Sequence, residues 1–205
     1  MHLFCLHHAG GTTASFAAWR FPGITVTKLS YRGRDFSSVS EASDVIAHQV
    51  AASPSPSFAI YGHSMGAILA FEAAIRLQES GRVNHVFLAA SPPPSMNPEG
   101  GNTDADRFGA MSERAREVLL EDLALLATYP GRPPMGQLKV PATIFYSSDD
   151  LVVSASEFTR WASWCAMTPR LVDVSVGGHL FHRTSSDVLQ VVEETLSPGA
   201  HVVSA

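Results

Sequence analysis

Six short runs of apolar and β-branched residues recur along the chain, and they read as continuous rather than alternating. They are Leu3 to His7, Ile24 to Ser30, Ser57 to Tyr61, Asn84 to Ala90, Ala142 to Tyr146 and Leu171 to Val176. Strands with one wet face alternate in polarity, whereas strands covered on both faces do not. Longer helical patterns lie between them, at Thr13 to Trp19, Ser40 to Ala52, Met65 to Glu79, Ser156 to Cys165 and Ser186 to Leu196. Alternating strand and helix predicts an α/β fold, a mostly parallel doubly wound sheet with right-handed crossovers. The 205 residues are 45% hydrophobic and 16% charged, enough apolar material for one compact domain over 1–205 and too much for a disordered chain.

One stretch breaks the alternation. From Ser91 to Leu138 no strand is predicted. The stretch opens on Ser91-Pro92-Pro93-Pro94-Ser95 and Asn97-Pro98-Glu99-Gly100-Gly101-Asn102, which are turn formers. A helix is expected from about Glu113 to Tyr129, with leucines 119, 120, 123 and 126 forming an amphipathic stripe, before Pro130-Gly131-Arg132-Pro133-Pro134. An insertion of this kind between core strands, approximately 92–138, is a candidate lid over a pocket.

The segment Phe58 to Ala70 carries the strongest chemical signal. An apolar strand runs into Gly62-His63-Ser64-Met65-Gly66 and then into strong helix formers. G-x-S-x-G between a strand and a helix marks a nucleophile elbow. The serine occupies a tight turn in a strained backbone conformation. The glycines two residues to either side leave room for the neighbouring strand and helix. Such a turn exposes the Ser64 hydroxyl and aims a helix N-terminus at developing negative charge.

A serine hydroxyl needs a base at neutral pH. Of nine histidines, His179 is the best placed, in Val176-Gly177-Gly178-His179-Leu180-Phe181 after the last expected strand. In the α/β-hydrolase fold the chain order runs nucleophile, acid, histidine. His182 is the competing histidine. A metal site built from His7, His8, His179 and His182 lacks any carboxylate-rich ligand pattern. The acid should follow a core strand between Ser64 and His179, and Ser147-Ser148-Asp149-Asp150 offers two carboxylates there. The oxyanion hole needs two N–H donors. The Met65 amide, directly after the nucleophile, is one candidate. Ala9, in the glycine-rich loop His7-His8-Ala9-Gly10-Gly11 after the first strand, is the other.

The remaining features exclude partners more than they specify them. The net charge of −5 and the absence of a basic run argue against nucleic acid. No apolar run reaches the roughly 20 residues that span a bilayer, so no membrane is expected. Met1-His2-Leu3-Phe4-Cys5 lacks the basic start and small-residue cleavage site of a signal peptide. Cys5 and Cys165 are expected as reduced, buried thiols of a cytoplasmic protein.

Three segments together resemble the signatures of type II thioesterases, the stand-alone α/β-hydrolases that act in polyketide and nonribosomal peptide biosynthesis. They are Leu3-Phe4-Cys5-Leu6-His7-His8-Ala9-Gly10-Gly11, Tyr61-Gly62-His63-Ser64-Met65-Gly66-Ala67 and Gly177-Gly178-His179-Leu180-Phe181. Gly33-Arg34 resembles the glycine-arginine pair that follows the second strand in that family. The resemblance implies Ser64, His179 and Asp150 as the catalytic triad, the second aspartate of the pair serving as the acid. It also implies Ala9 and Met65 as oxyanion donors and no metal or organic cofactor. The implied substrate is an acyl thioester on the phosphopantetheine arm of an acyl or peptidyl carrier protein, or on coenzyme A. Cyclisation or acyl transfer, or general ester hydrolysis, would use the same triad, and a degenerate binding module would lack its reactivity. The chain departs from the family pattern at His7, Arg32 and Asp35, which stand where proline, proline and glycine are usual, and its lid region is shorter. Arg32, Arg34 and Arg183 are candidate contacts for an acidic carrier surface.

Overall fold

The computed structural model describes residues 1–94, 108–129 and 136–197. Most of the turn-rich part of the expected insertion, at 95–107 and 130–135, lies outside the described residues. Six strands form one parallel sheet: β1 His2–Leu6, β2 Thr25–Leu29, β3 Phe58–His63, β4 Val83–Ala89, β5 Ala142–Tyr146 and β6 Arg170–Asp173. Their order is β2-β1-β3-β4-β5-β6. The direction of winding reverses between β1 and β3, whose carboxyl ends therefore flank the crevice where open α/β sheets bind ligands.

Alternate residues of each central strand feed two cores. Phe4 and Leu6 of β1 and Ile60 of β3 point to the face covered by α1, Val39–Ala51, and α2, Met65–Leu77. Leu3, Cys5, Ala59 and Tyr61 point to the other face, covered by α5, Ser186–Leu196, and by the 3-10 turn at Thr13–Phe16. Burial on both faces is the reason the strand sequences read as unbroken apolar runs. Both cysteines are buried free thiols. Among the described residues no helix is long and apolar enough to cross a membrane.

Three expected elements are shorter or differently wound. β6 ends at Asp173 rather than Val176, because the Asp173 carboxylate accepts the Ser148 hydroxyl at 2.5 Å and the Ser175 N–H at 2.9 Å. Ser175 then turns the chain with φ +61°. The helix expected over Ser156 to Cys165 is a single α-turn, α4 Ala155–Phe158, followed by a 3-10 stretch to Trp164. The segment from Thr13 supports only a 3-10 turn ending at Phe16. The helix of the insertion is α3, Glu113–Ala127, capped by the Ser112 side chain on the Ala115 N–H. Leu119 and Leu123 of its leucine stripe are buried, but Leu120 is exposed, and the third buried position is Asp122.

Two glycines allow α2 to approach the sheet. A Cβ on Gly62 would overlap the Gly66 carbonyl, and one on Gly66 would overlap the Leu6 carbonyl. Backbone atoms cannot move aside as a flexible side chain can. Gly62→Ala or Gly66→Ala is expected to lower the unfolding free energy by about 3 kcal/mol or more, read by urea denaturation. A loss under about 1 kcal/mol would mean that helix and sheet can separate at little cost.

Candidate active site

The strand-to-helix turn carries Ser64 at φ +55°, ψ −121°, outside the regions that non-glycine residues favour. The surrounding backbone enforces it. Ser64 N–H donates to the Ala89 carbonyl at 2.7 Å, and its own carbonyl accepts the Ala67 N–H at 2.8 Å. The serine thus stands at the carboxyl end of β3, at the mouth of the crevice.

The loop after β6 folds back toward it through Gly177 and Gly178, with φ +127° and +57°. A side chain at Gly177 would press against Phe181. On this loop His179 Nε2 lies 3.0 Å from Ser64 Oγ, and His179 Nδ1 lies 2.9 Å from Asp150 Oδ2. A carboxylate only accepts, so Nδ1 carries the ring proton and Nε2 accepts the serine O–H. Asp150 is itself fixed, because its Oδ1 accepts the N–H groups of Val152 at 2.7 Å and Val153 at 3.1 Å. Its side chain is fully buried, and that of His179 is 8% exposed.

The neighbouring carboxylate takes a different part. Asp149 Oδ1 accepts the Ser147 hydroxyl at 2.5 Å and the Gly178 N–H at 2.8 Å, while Oδ2 accepts Gly177 N–H at 3.3 Å. These bonds, that from Ser147 foremost, hold its carboxyl below the usual range. Asp149 braces the histidine loop and Asp150 contacts the histidine.

His63, inside the elbow itself, is a contact the sequence reading passed over. Its Nε2–H donates to the His179 carbonyl at 2.6 Å, and the Tyr61 hydroxyl lies 3.4 Å from its Nδ1. His63 and His182 lie with ring centroids 3.8 Å apart and planes tilted by 33°, and His8 packs edge-on against His182 at 5.4 Å. Burial pushes His8 down to about 3 and holds His63 and His182 well below 6.5. Neither ring nitrogen of His182 has a hydrogen-bond partner among the described residues. Of the four histidines weighed as metal ligands, His7 stacks on Tyr31 at 4.4 Å, His8 and His182 pack ring against ring, and His179 is committed to the serine and the aspartate. Among the described residues, no group of three or more His, Cys, Asp and Glu side chains is placed to hold an ion.

Ala9 follows β1 across the crevice, and Met65 N–H opens α2, so the two expected oxyanion donors flank the β1/β3 gap. A cavity of about 600 Å³ adjoins His179, lined by Ala9, Phe108, Met111, Leu119, Val152 and Leu180. Phe108, just before α3, meets the His179 ring edge-on at 5.5 Å.

A parallel sheet in this order, with an elbow serine and a histidine–aspartate pair on the following loops, defines the α/β-hydrolase class. The model of the thioesterase domain matches residues 1–197, and the chain belongs to that family. It is 28% identical to a probable cadicidin biosynthesis thioesterase of Streptomyces griseus, over 97% of this chain and 63% of the relative. It is 31% identical to the gramicidin S biosynthesis protein GrsT of Aneurinibacillus migulanus, over 44% of this chain and 40% of the relative. The chain therefore spans less than two thirds of the length of either curated relative. Among solved structures, that of the type II thioesterase BorB from the borrelidin biosynthetic cluster superposes with a TM-score of 0.80 at 26% identity, covering 96% of this chain and 92% of that one.

The buried imidazoles make stability pH-dependent. Each has a folded pKa below its unfolded value near 6.5, so its contribution is complete above that pH and is lost as pH falls toward the folded pKa. The unfolding free energy should fall by up to about 1.4 kcal/mol per pH unit for each such histidine below pH 6.5. His182→Phe removes one of them and should flatten the slope by about that amount in urea titrations at pH 7, 6 and 5. An unchanged slope would contradict the assignment.

Proposed function

We propose that this chain is a type II thioesterase that hydrolyses acyl thioesters held on carrier-protein phosphopantetheine, or on coenzyme A, in polyketide or nonribosomal peptide biosynthesis. The observation that carries the reading is the hydrogen-bonded line Ser64 Oγ, His179 Nε2, His179 Nδ1, Asp150 Oδ2, with steps of 3.0 and 2.9 Å, in a chain of the thioesterase domain family. The names of the relatives, tied to cadicidin, gramicidin S and borrelidin biosynthesis, support the carrier-bound substrate.

In this reading Ser64 Oγ attacks the thioester carbonyl as its proton passes to His179 Nε2. Asp150 holds the imidazole in the required tautomer and stabilises the imidazolium. The Ala9 and Met65 N–H groups receive the oxyanion. Collapse breaks the C–S bond, and His179 returns the proton to the departing thiolate. Water, deprotonated by the same histidine, then cleaves the acyl-serine and releases the acid. His63 and His182, held neutral by burial, place no second positive charge beside the imidazolium. Within the expected insertion at approximately 92–138, α3 and Phe108 act as the lid over the acyl cavity of one hydrolase domain.

Ser64→Ala should lower turnover of an acyl thioester by roughly 10⁴- to 10⁶-fold, with residual catalysis from the oxyanion hole and binding. Near wild-type turnover would refute the reading. Cyclisation, transfer and hydrolysis are separated by mass spectrometry of the product released from an acyl-carrier substrate, with the free acid expected. The cavity of about 600 Å³ and its apolar lining favour acyl chains of several carbons. Octanoyl thioester should therefore be turned over faster than acetyl thioester, and a strong preference for acetyl would contradict this.

A further inference from the structure

Helix α3 presses a buried carboxylate against the loop that follows β1. Asp122 is 6% exposed and sits on the inward face of α3 with Leu119 and Leu123. Its Oδ2 accepts the Gly10 N–H at 2.7 Å and the Arg32 Nε–H at 3.2 Å, and Arg32 Nη2 donates to the same oxygen. Tyr31 Oη lies 3.4 Å from this oxygen and 3.0 Å from the His8 carbonyl. A phenol has one proton, and the shorter contact takes it.

The consequence falls on Ala9. The His8 carbonyl accepts the Tyr31 hydroxyl and, each at 2.9 Å, the Gly11 N–H and the His7 Nδ1–H. Because a trans peptide is planar, fixing the His8 C=O fixes the direction of the Ala9 N–H, which points the opposite way. Fixing the Gly10 N–H likewise fixes the next peptide plane, which carries the Ala9 carbonyl. Ala9 is therefore clamped on both sides, and the second clamp is a side chain of α3. Gly10 has φ +75° and no Cβ, which lets Leu119 pack directly over the loop, and a Cβ there would lie 3.3 Å from that of Leu119.

We propose that Asp122 is a positioning residue: by holding the Gly10 N–H it fixes the peptide plane adjoining the one that carries the Ala9 N–H, so that the Ala9 donor keeps its aim at the oxyanion only with α3 seated. This rests on the reading above, in which Ala9 is a donor to the oxyanion. Arg32 and Tyr31 complete the device, with Arg32 supplying the countercharge that lets a carboxylate remain buried.

An oxyanion donor interacts more strongly with the tetrahedral state than with bound substrate, and that difference separates positioning from mere stabilisation. The probes are octanoyl-N-acetylcysteamine thioester and an alkyl trifluoromethyl ketone, which adds to a serine as a tetrahedral mimic. Rates are referred to active sites titrated with a fluorophosphonate. Asp122→Ala should lower kcat and weaken the ketone by the same factor, roughly 10- to 100-fold, with KM within about twofold of wild type. Asp122→Asn, whose side-chain oxygen still accepts the Gly10 N–H, should recover most of both losses, and Asp122→Leu, which fills the space but accepts no hydrogen bond, carries the test if the alanine variant does not fold. In a folded variant that has lost the acceptor, Asp122→Ala or Asp122→Leu, kcat falling without matching loss of ketone affinity, or neither moving by more than twofold, would overturn the proposal. Ser64→Ala, measured alongside, keeps the two readings apart. An inactive serine variant beside an unaffected Asp122→Ala defeats the clamp alone, and a fully active serine variant defeats both.

Discussion

The separation between α2 and the sheet sets everything else in the site. Gly62 and Gly66 remove the two Cβ atoms that would otherwise hold helix and strands apart, and only at that distance does the chain turn through φ +55° at Ser64. Such a backbone conformation costs on the order of 1–3 kcal/mol and persists only where its surroundings determine it. Here they do so through the hydrogen bonds of the Ser64 peptide to Ala89 and Ala67 and through the surrounding apolar core. The strain is local, and its result is a hydroxyl projecting from a rigid platform at the reversal point of the sheet.

Around that platform the partners arrive on loops, each tied down by a polar group that performs no chemistry itself. Asp149 fixes the glycines before His179, and His63 donates to the His179 carbonyl. Backbone N–H groups of Val152 and Val153 hold Asp150. Asp122 and Tyr31 hold the loop containing Ala9. A loop residue keeps sub-ångström placement only if its backbone polar groups are committed, and misplacement by about 1 Å can cost on the order of 10²-fold in rate. The residues that commit them are therefore as decisive as those that face the cavity.

Much of this was readable in the sequence because it follows from short-range rules. Unbroken apolar runs gave the parallel sheet, since both faces of its central strands are covered. The glycine spacing around Ser64 gave the elbow, since only that spacing lets backbone meet backbone. The order serine, aspartate, histidine followed from the fold. Long-range pairing was not readable. Periodicity offers no way to tell Asp149 from Asp150, because which carboxylate meets an imidazole on another loop is decided by a turn of one residue. The resemblance to type II thioesterases favoured Asp150. Asp122 occupied an apolar face of α3 where the stripe suggested Leu120, and a buried acid within a leucine pattern was the one available signal that something there needed an anion. The early end of β6 was equally hidden, because side-chain hydrogen bonds at Asp173, not hydrophobicity, terminate it.

Reactivity turns on the serine hydroxyl being the nucleophile and on the imidazole activating it. Treating the protein with a fluorophosphonate and mapping the modified peptide tests this most directly, because the reagent needs no knowledge of the acyl group. A single adduct on the peptide bearing Ser64, formed at least about 10²-fold more slowly in His179→Ala, is the predicted result. No adduct, an adduct on another residue, or a rate indifferent to the loss of the imidazole would contradict it.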